Sequence, residues 1–73
     1  MIFGETLKEL RTNRGLSQQQ LTDELKISQS AIAKWELSKT EPVASMIVKL
    51  AKYFDVDSDF LLGLRDENGN PVD

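Results

Sequence analysis

The sequence predicts an all-helical fold of five short helices around one small core, and three observations carry that reading. Apolar residues recur at three- and four-residue spacings along most of the chain. Residues that start and stop helices stand at the ends of those stretches. Strand-like alternation of apolar and polar residues appears nowhere. A chain of 73 residues makes one domain, near the lower size limit for folding alone, where roughly 60% of the unfolded surface can be buried.

The first helix is expected from about Glu5 to Arg14, with Phe3, Leu7 and Leu10 at helical spacing and Gly15 as its stop. The second opens at Ser17, where Ser17 and Gln20 form a capping-box pair, and carries Leu21 and Leu25 on one face. The third starts at Ser28 and turns Ile32 and Trp35 inward. Residues Ser38 to Pro42 read as a loop closed by a proline that suits a helix start. The fourth helix is expected from about Val43 to Phe54, with Ile47, Leu50, Ala51 and Phe54 inward. Asp57 is a good N-cap for a fifth, Ser58 to Leu62, which Gly63 ends. From Arg65 the chain turns polar, and Asn68-Gly69-Asn70-Pro71 is turn chemistry without a core. The domain is therefore expected over 1–64, with 65–73 a polar tail or the start of a linker.

Composition excludes several classes of function. There is no cysteine, hence no disulfide framework and no thiolate chemistry, which fits a reducing compartment. Histidine, the usual metal ligand and commonest general base, is absent too. No apolar run approaches the roughly 20 residues that span a bilayer, and Met1-Ile2-Phe3 lacks the basic flank of a signal peptide. A cytoplasmic protein without membrane contact, cofactor or small-molecule ligand is expected. With no phosphate loop and too little chain to enclose a substrate pocket, it is not expected to be an enzyme. Asp55, Asp57 and Asp59 lack the glycine and terminal glutamate of a calcium loop, so no metal site is read there.

Charge is unevenly spread. The net charge is −3, yet Lys8 to Lys52 holds eight basic residues against five acidic ones. The acidity sits at the C-terminal end, and local rather than net charge decides contact with a polyanion.

The informative spacing joins helices two and three. Counting Gln18 as one, the apolar residues Leu21, Leu25, Ile27, Ile32 and Trp35 fall at four, eight, ten, fifteen and eighteen. That set, with the short Leu25-Lys26-Ile27-Ser28 connection, is expected of two helices packed across a tight turn, a helix-turn-helix unit. At about 100° per residue, Ser28, Ala31, Ile32 and Trp35 cluster on the inner side of helix three. Ser30, Ala33, Lys34 and Leu37 lie opposite, and Gln29 sits at the exposed N-terminal end. This outer face carries no carboxylate, whereas a merely solvated face more often pairs glutamates with lysines. Glutamine can bond adenine, lysine can reach guanine acceptors and serine can serve either, while Ala33 and Leu37 suit thymine methyl groups.

Gln18 to Glu36, with Leu16-Ser17 before and Lys39-Thr40-Glu41-Pro42 after, resembles the Cro/repressor-type (XRE-like) helix-turn-helix family of phage and bacterial transcriptional regulators. The segment Ser28-Gln29-Ser30-Ala31-Ile32-Ala33-Lys34-Trp35-Glu36 is close to that family's recognition-helix wording, and the likeness extends from Phe3 to about Leu64. The resemblance implies a five-helix, lambda-repressor-like domain that binds a double-stranded DNA operator as a homodimer. It places Gln29, Ser30 and Lys34 at base-reading positions, and Gln18 at a phosphate-binding glutamine that steadies the first recognition-helix side chain. Ser17, Ser28, Lys39 and Thr40 fall where the family contacts the sugar-phosphate backbone. Arg11 and Glu36 match an ion pair tying helix one to the end of helix three. Four positions depart from the pattern. Thr22 stands for a common alanine, Lys26 and Ser38 for glycines, and Val43 for a serine or aspartate cap. A lysine held at positive φ is expected to be strained.

Plainer readings apply to other residues. Trp35 reads as core rather than as a base-stacking ring, and Gln19 as surface. Lys8 and Arg14 read as solvent-facing, with a place near the DNA backbone the alternative for Arg14. Phe60, Leu61 and Leu64 exceed what a very short helix needs for its own burial, and a core role and a dimer patch stand side by side. A repressor on a two-fold symmetric operator leads. Its rivals are an antitoxin or restriction-modification controller of the same fold, and a helix-turn-helix module serving protein interaction alone.

Overall fold

A computed structural model describes residues 3–64 and 70–71. The helices are α1 (Phe3–Asn13), α2 (Gln18–Leu25), α3 (Gln29–Glu36), α4 (Ala44–Phe54) and α5 (Ser58–Leu61). Their inward faces build one core from Phe3, Leu7, Leu21, Leu25, Ile32, Trp35, Ile47, Leu50, Ala51, Phe54 and Leu61. The tail expected over 65–73 lies outside the described residues except for Asn70 and Pro71.

Local chemistry sets the helix starts. The Gln20 amide donates to Ser17 Oγ at 3.0 Å, and the Ser17 amide donates back to Gln20 Oε1 at 2.8 Å, completing the capping box of α2. Ser28 Oγ accepts from the Ala31 amide at 3.2 Å and caps α3. Val43 and Asp57 occupy the N-cap positions of α4 and α5, and neither makes a side-chain cap bond. The capping role expected of Asp57 is thus positional only. α1 starts two residues earlier than its cap signals suggest. Phe3, 1% exposed, is drawn into the core, where its ring meets Trp35 edge-on at 6.5 Å.

All five helices end alike. Gly15, Lys26, Ser38, Asp55 and Gly63 each take a left-handed conformation, φ between 56° and 79°. The following amide then reaches back to close the last turn: Leu16 to Arg11 O, Ile27 to Thr22 O, Lys39 to Lys34 O, Val56 to Ala51 O and Leu64 to Asp59 O. Two of the five are glycines. Lys26, Ser38 and Asp55 adopt the same geometry at a strain of roughly 1–2 kcal/mol each. Lys26 and Ser38, which replace the family's glycines, therefore keep the turn shape those glycines allow.

α1 lies across the end of α3. A Cβ at Gly4 would collide with the carbonyl oxygens of Trp35 and Glu36, the latter at 2.7 Å. Only glycine permits that approach.

Candidate nucleic-acid interface

α3 is divided lengthwise by burial. Ile32 and Trp35 are in the core, while Gln29, Ser30 and Lys34 are exposed and Ala33 is half-buried. Leu37, the C-cap of α3, is 67% exposed, an apolar group presented to solvent beside polar ones. Gln29 and Lys34 make no side-chain bond to any described residue, so their hydrogen-bonding groups are available to a ligand. Ser30 Oγ lies 3.4 Å from Ser28 Oγ.

The single carboxylate of α3 is turned away from this face. Glu36 receives Arg11 Nε on Oε2 at 2.6 Å and Arg11 Nη2 on Oε1 at 3.0 Å, a two-pronged pair with side chains 10% and 4% exposed. Arg11 Nη1 donates to Leu16 O at 2.7 Å. The hydrogen bond to Glu36 raises the Arg11 pKa above its ordinary value, against the opposing effect of burial, with the charge of Glu36 adding to the rise. Gln18 Nε2 donates to Glu36 Oε1 at 3.1 Å. One carboxylate therefore fastens α1, the start of α2 and the end of α3 together.

The residues expected at the phosphates lie at helix ends. Ser17 and Ser28 are exposed, and each Oγ accepts from an amide of its own helix. A hydroxyl used as an acceptor keeps its O–H to donate. The Gln18 and Gln19 amides, first in α2, have no acceptor within the helix, and they stand at its positive dipole end. Lys39 and Thr40 are exposed in the loop after α3. Thr40 also lines a shallow cleft with Phe3, Gly4, Trp35, Ser38 and Glu41.

Among the residues considered for a dimer patch, Leu61 is corrected by the structure. It is wholly buried beneath α5 and belongs to the core. Phe60 is half-buried and Leu64 is 55% exposed, so of the three residues considered these two present apolar surface there. A four-residue helix offers too few turns for spacing to separate inward from outward positions.

Three cations of the basic segment serve the fold, which spacing did not reveal for Arg14 and Lys49. Arg14 donates to Tyr53 O at 3.3 Å and Phe54 O at 2.9 Å, closing the end of α4. Its guanidinium also lies 5.7 Å from the Tyr53 ring centroid and 5.2 Å from that of Phe54. Lys49 Nζ donates to Leu25 O at 2.6 Å. A lysine or arginine tens of residues away from the helix end it caps carries no local signal of that role. No cluster of three or more metal-ligating side chains occurs among the described residues. None of their helices is long and apolar enough to cross a membrane.

This arrangement of α2, turn and α3 is matched by a family model described as helix-turn-helix over residues 7–61. The chain belongs to the XRE-type helix-turn-helix family. Among its relatives, the SPbeta prophage-derived uncharacterized HTH-type transcriptional regulator YonR of Bacillus subtilis is 43% identical over 84% of the chain and 56% of the relative. The HTH-type transcriptional activator BcrR of Enterococcus faecalis is 42% identical over 85% of the chain and 30% of the relative. The HTH-type transcriptional regulator ImmR of Bacillus subtilis is 31% identical over 86% of the chain and 50% of the relative. The chain thus spans about half or less of the length of these helix-turn-helix regulators.

Proposed function

We propose that the domain binds double-stranded DNA sequence-specifically and regulates transcription by laying α3 in the major groove. One observation carries this reading. α3 exposes Gln29, Ser30 and Lys34 while its only carboxylate, Glu36, is neutralised in the interior by Arg11. The exposed face is left with groups suited to base edges and nothing that repels phosphate. Ser17, Gln18, Ser28, Lys39 and Thr40 would then hold the flanking phosphates, with the unbonded amides of α2 pointing the positive end of a helix at one of them.

The relatives' names support a regulatory role. Repression from a two-fold symmetric operator is the form proposed. Two copies place their α3 helices about 10 base pairs apart, with Phe60 and Leu64 as the apolar surface at the subunit contact. A role on DNA puts the protein in the cytoplasm of its host cell.

Selection of bound sequences from a random duplex pool tests the reading directly. A palindromic consensus is expected, and absence of duplex binding even at low salt would overturn it. Gln29→Ala and Lys34→Ala should each relax preference at one base position, a loss of about 1–3 kcal/mol of discrimination. Gln18→Ala should weaken all sequences alike. A promoter fusion reports whether occupancy lowers transcription, as proposed, or raises it.

A further inference from the structure

We infer that Lys49 is a positioning residue for DNA recognition: from α4 it clamps the turn between α2 and α3 and so fixes the attitude of the recognition helix. This rests on the DNA-binding reading above.

Leu25 is the last residue of α2, and its carbonyl lies beyond the reach of that helix's own amides. Lys49 Nζ supplies the missing donor at 2.6 Å, from 24 residues away, in a part-buried setting. The next residue, Lys26, holds φ 58° and ψ 44°, a conformation that a non-glycine side chain disfavours. Two residues further on, Ser28 caps α3. Any relaxation of Lys26 towards an ordinary conformation would swing α3 and every base-reading side chain on it. The ammonium also sits at the negative end of the α2 dipole, where a cation is favoured. Only three residues, Lys26-Ile27-Ser28, lie between α2 and α3 to make this connection. A disfavoured turn held from outside by a charged hydrogen bond is a built constraint, and it bears on the one angle that matters for reading a groove. Lys49 has no comparable place on the reading face.

The test uses the chain with Lys49→Met, which keeps the apolar stem and removes the donor, beside Lys49→Arg, which restores a donor. In the free protein, hydrogen exchange at the Ile27 amide, which bonds Thr22 O, should quicken in Lys49→Met while core amides such as Leu50 stay within twofold of the parent. On the selected duplex, affinity should fall about two- to fivefold, with an unchanged consensus and an unchanged salt slope. Lys49→Arg should recover most of it. In a Lys26→Gly background, where the turn is unstrained, the effect of Lys49→Met should shrink to under twofold.

Several results would overturn the inference. A salt slope shallower by about 0.9 per subunit would show Lys49 on a phosphate instead. Equal quickening of all amides would show loss of global stability alone. An undiminished effect in the Lys26→Gly background would detach Lys49 from the turn. If the parent chain binds no duplex, the functional reading fails, and the exchange measurement still decides whether Lys49 holds the turn.

Discussion

Replacing Arg11 by methionine should be among the most damaging single changes to this domain. Methionine preserves much of the stem's packing and leaves Glu36 with a carboxylate that is 4% exposed and stripped of its two-pronged partner. Three hydrogen bonds vanish together, two to Glu36 and one to Leu16 O. Breaking a buried pair from one side costs about 3–5 kcal/mol, because the remaining charge stays desolvated. At about 0.05–0.15 kcal/mol per residue, a 73-residue chain has roughly 4–11 kcal/mol of total stability. Arg11→Met therefore removes about a third of it or more.

Urea denaturation followed by far-ultraviolet circular dichroism measures the loss. With a slope of about 1 kcal/mol per molar for a chain this small, the midpoint should drop by about 3 M or fall out of the measurable range. Arg11→Met combined with Glu36→Met should recover most of the loss, since no buried charge remains. A single-variant loss under about 1 kcal/mol would refute the reasoning, because that is what an exposed pair contributes. So would a double variant no more stable than the single one. The raised pKa of Arg11 adds a sign check. A cation whose folded pKa is raised contributes stability that is present below its unfolded value and lost only as pH rises through the folded one. For an arginine that window lies at strongly alkaline pH, so the contribution of Arg11 should be constant from mildly acid to mildly alkaline solution.

Gly4→Ala should lower the melting temperature. The added methyl meets backbone carbonyls of α3 that cannot step aside, at a cost of about 1–3 kcal/mol that outweighs the usual helical gain. Ser38→Gly should stabilise the domain by about 0.5–1 kcal/mol in the same urea assay, the strain relieved at φ 59° exceeding the added chain entropy. Thr22→Val should be stabilising by about 1 kcal/mol, since Thr22 Oγ1 is buried without a partner among the described residues and valine fills the same volume; destabilisation would reveal a hydrogen bond to that oxygen. Binding of the selected duplex should show a salt slope of magnitude about 4 or less for a dimer, at about 0.9 per neutralised phosphate.

The helices and their inward faces were legible because their signals are local. Ser17 with Gln20, Ser28 before its helix, and Gly15 and Gly63 after theirs are read within four residues, and each keeps its part in the structure. The apolar set from Leu21 to Trp35 is equally local, and it fixes which side of α3 remains outside. What escaped the sequence depends on contacts between distant segments. Phe3 joins α1 because Trp35 covers it, and Gly4 is required by carbonyls more than thirty residues away. Arg14 and Lys49 are chemically ordinary surface residues until the end of α4 is placed against Arg14 and the end of α2 against Lys49. The split between Leu61 and Leu64 was not legible because α5 has only four residues, too few to show a period, and Leu64 lies beyond its end. Strain at Lys26 was foreseeable from its type, but not that a lysine from α4 would hold the adjoining carbonyl.

The fate of the cations bears on how a chain of net charge −3 would bind the DNA proposed as its partner. Arg11, Arg14 and Lys49 are bound to carboxylate, carbonyls or rings inside the domain. Lys8, Lys26, Lys34, Lys39 and Lys52 have no such partner among the described residues. Of these, Lys34 lies on the exposed face of α3 proposed to read DNA and Lys39 in the loop that follows it. On the proposed DNA-binding reading direct phosphate neutralisation is small, and uncharged donors would carry much of the backbone contact: the Ser17 and Ser28 hydroxyls, the Gln18 amide group and the first backbone amides of α2. Such contacts release few counterions. They also demand more of geometry than a flexible ammonium does, because a hydrogen bond weakens steeply with misalignment. A domain that relies on them gains from a recognition unit fastened on both sides, by Glu36 at the end of α3 and by Lys49 at the turn before it. The fewer charges face the DNA, the more the rigidity of the unit must contribute to affinity.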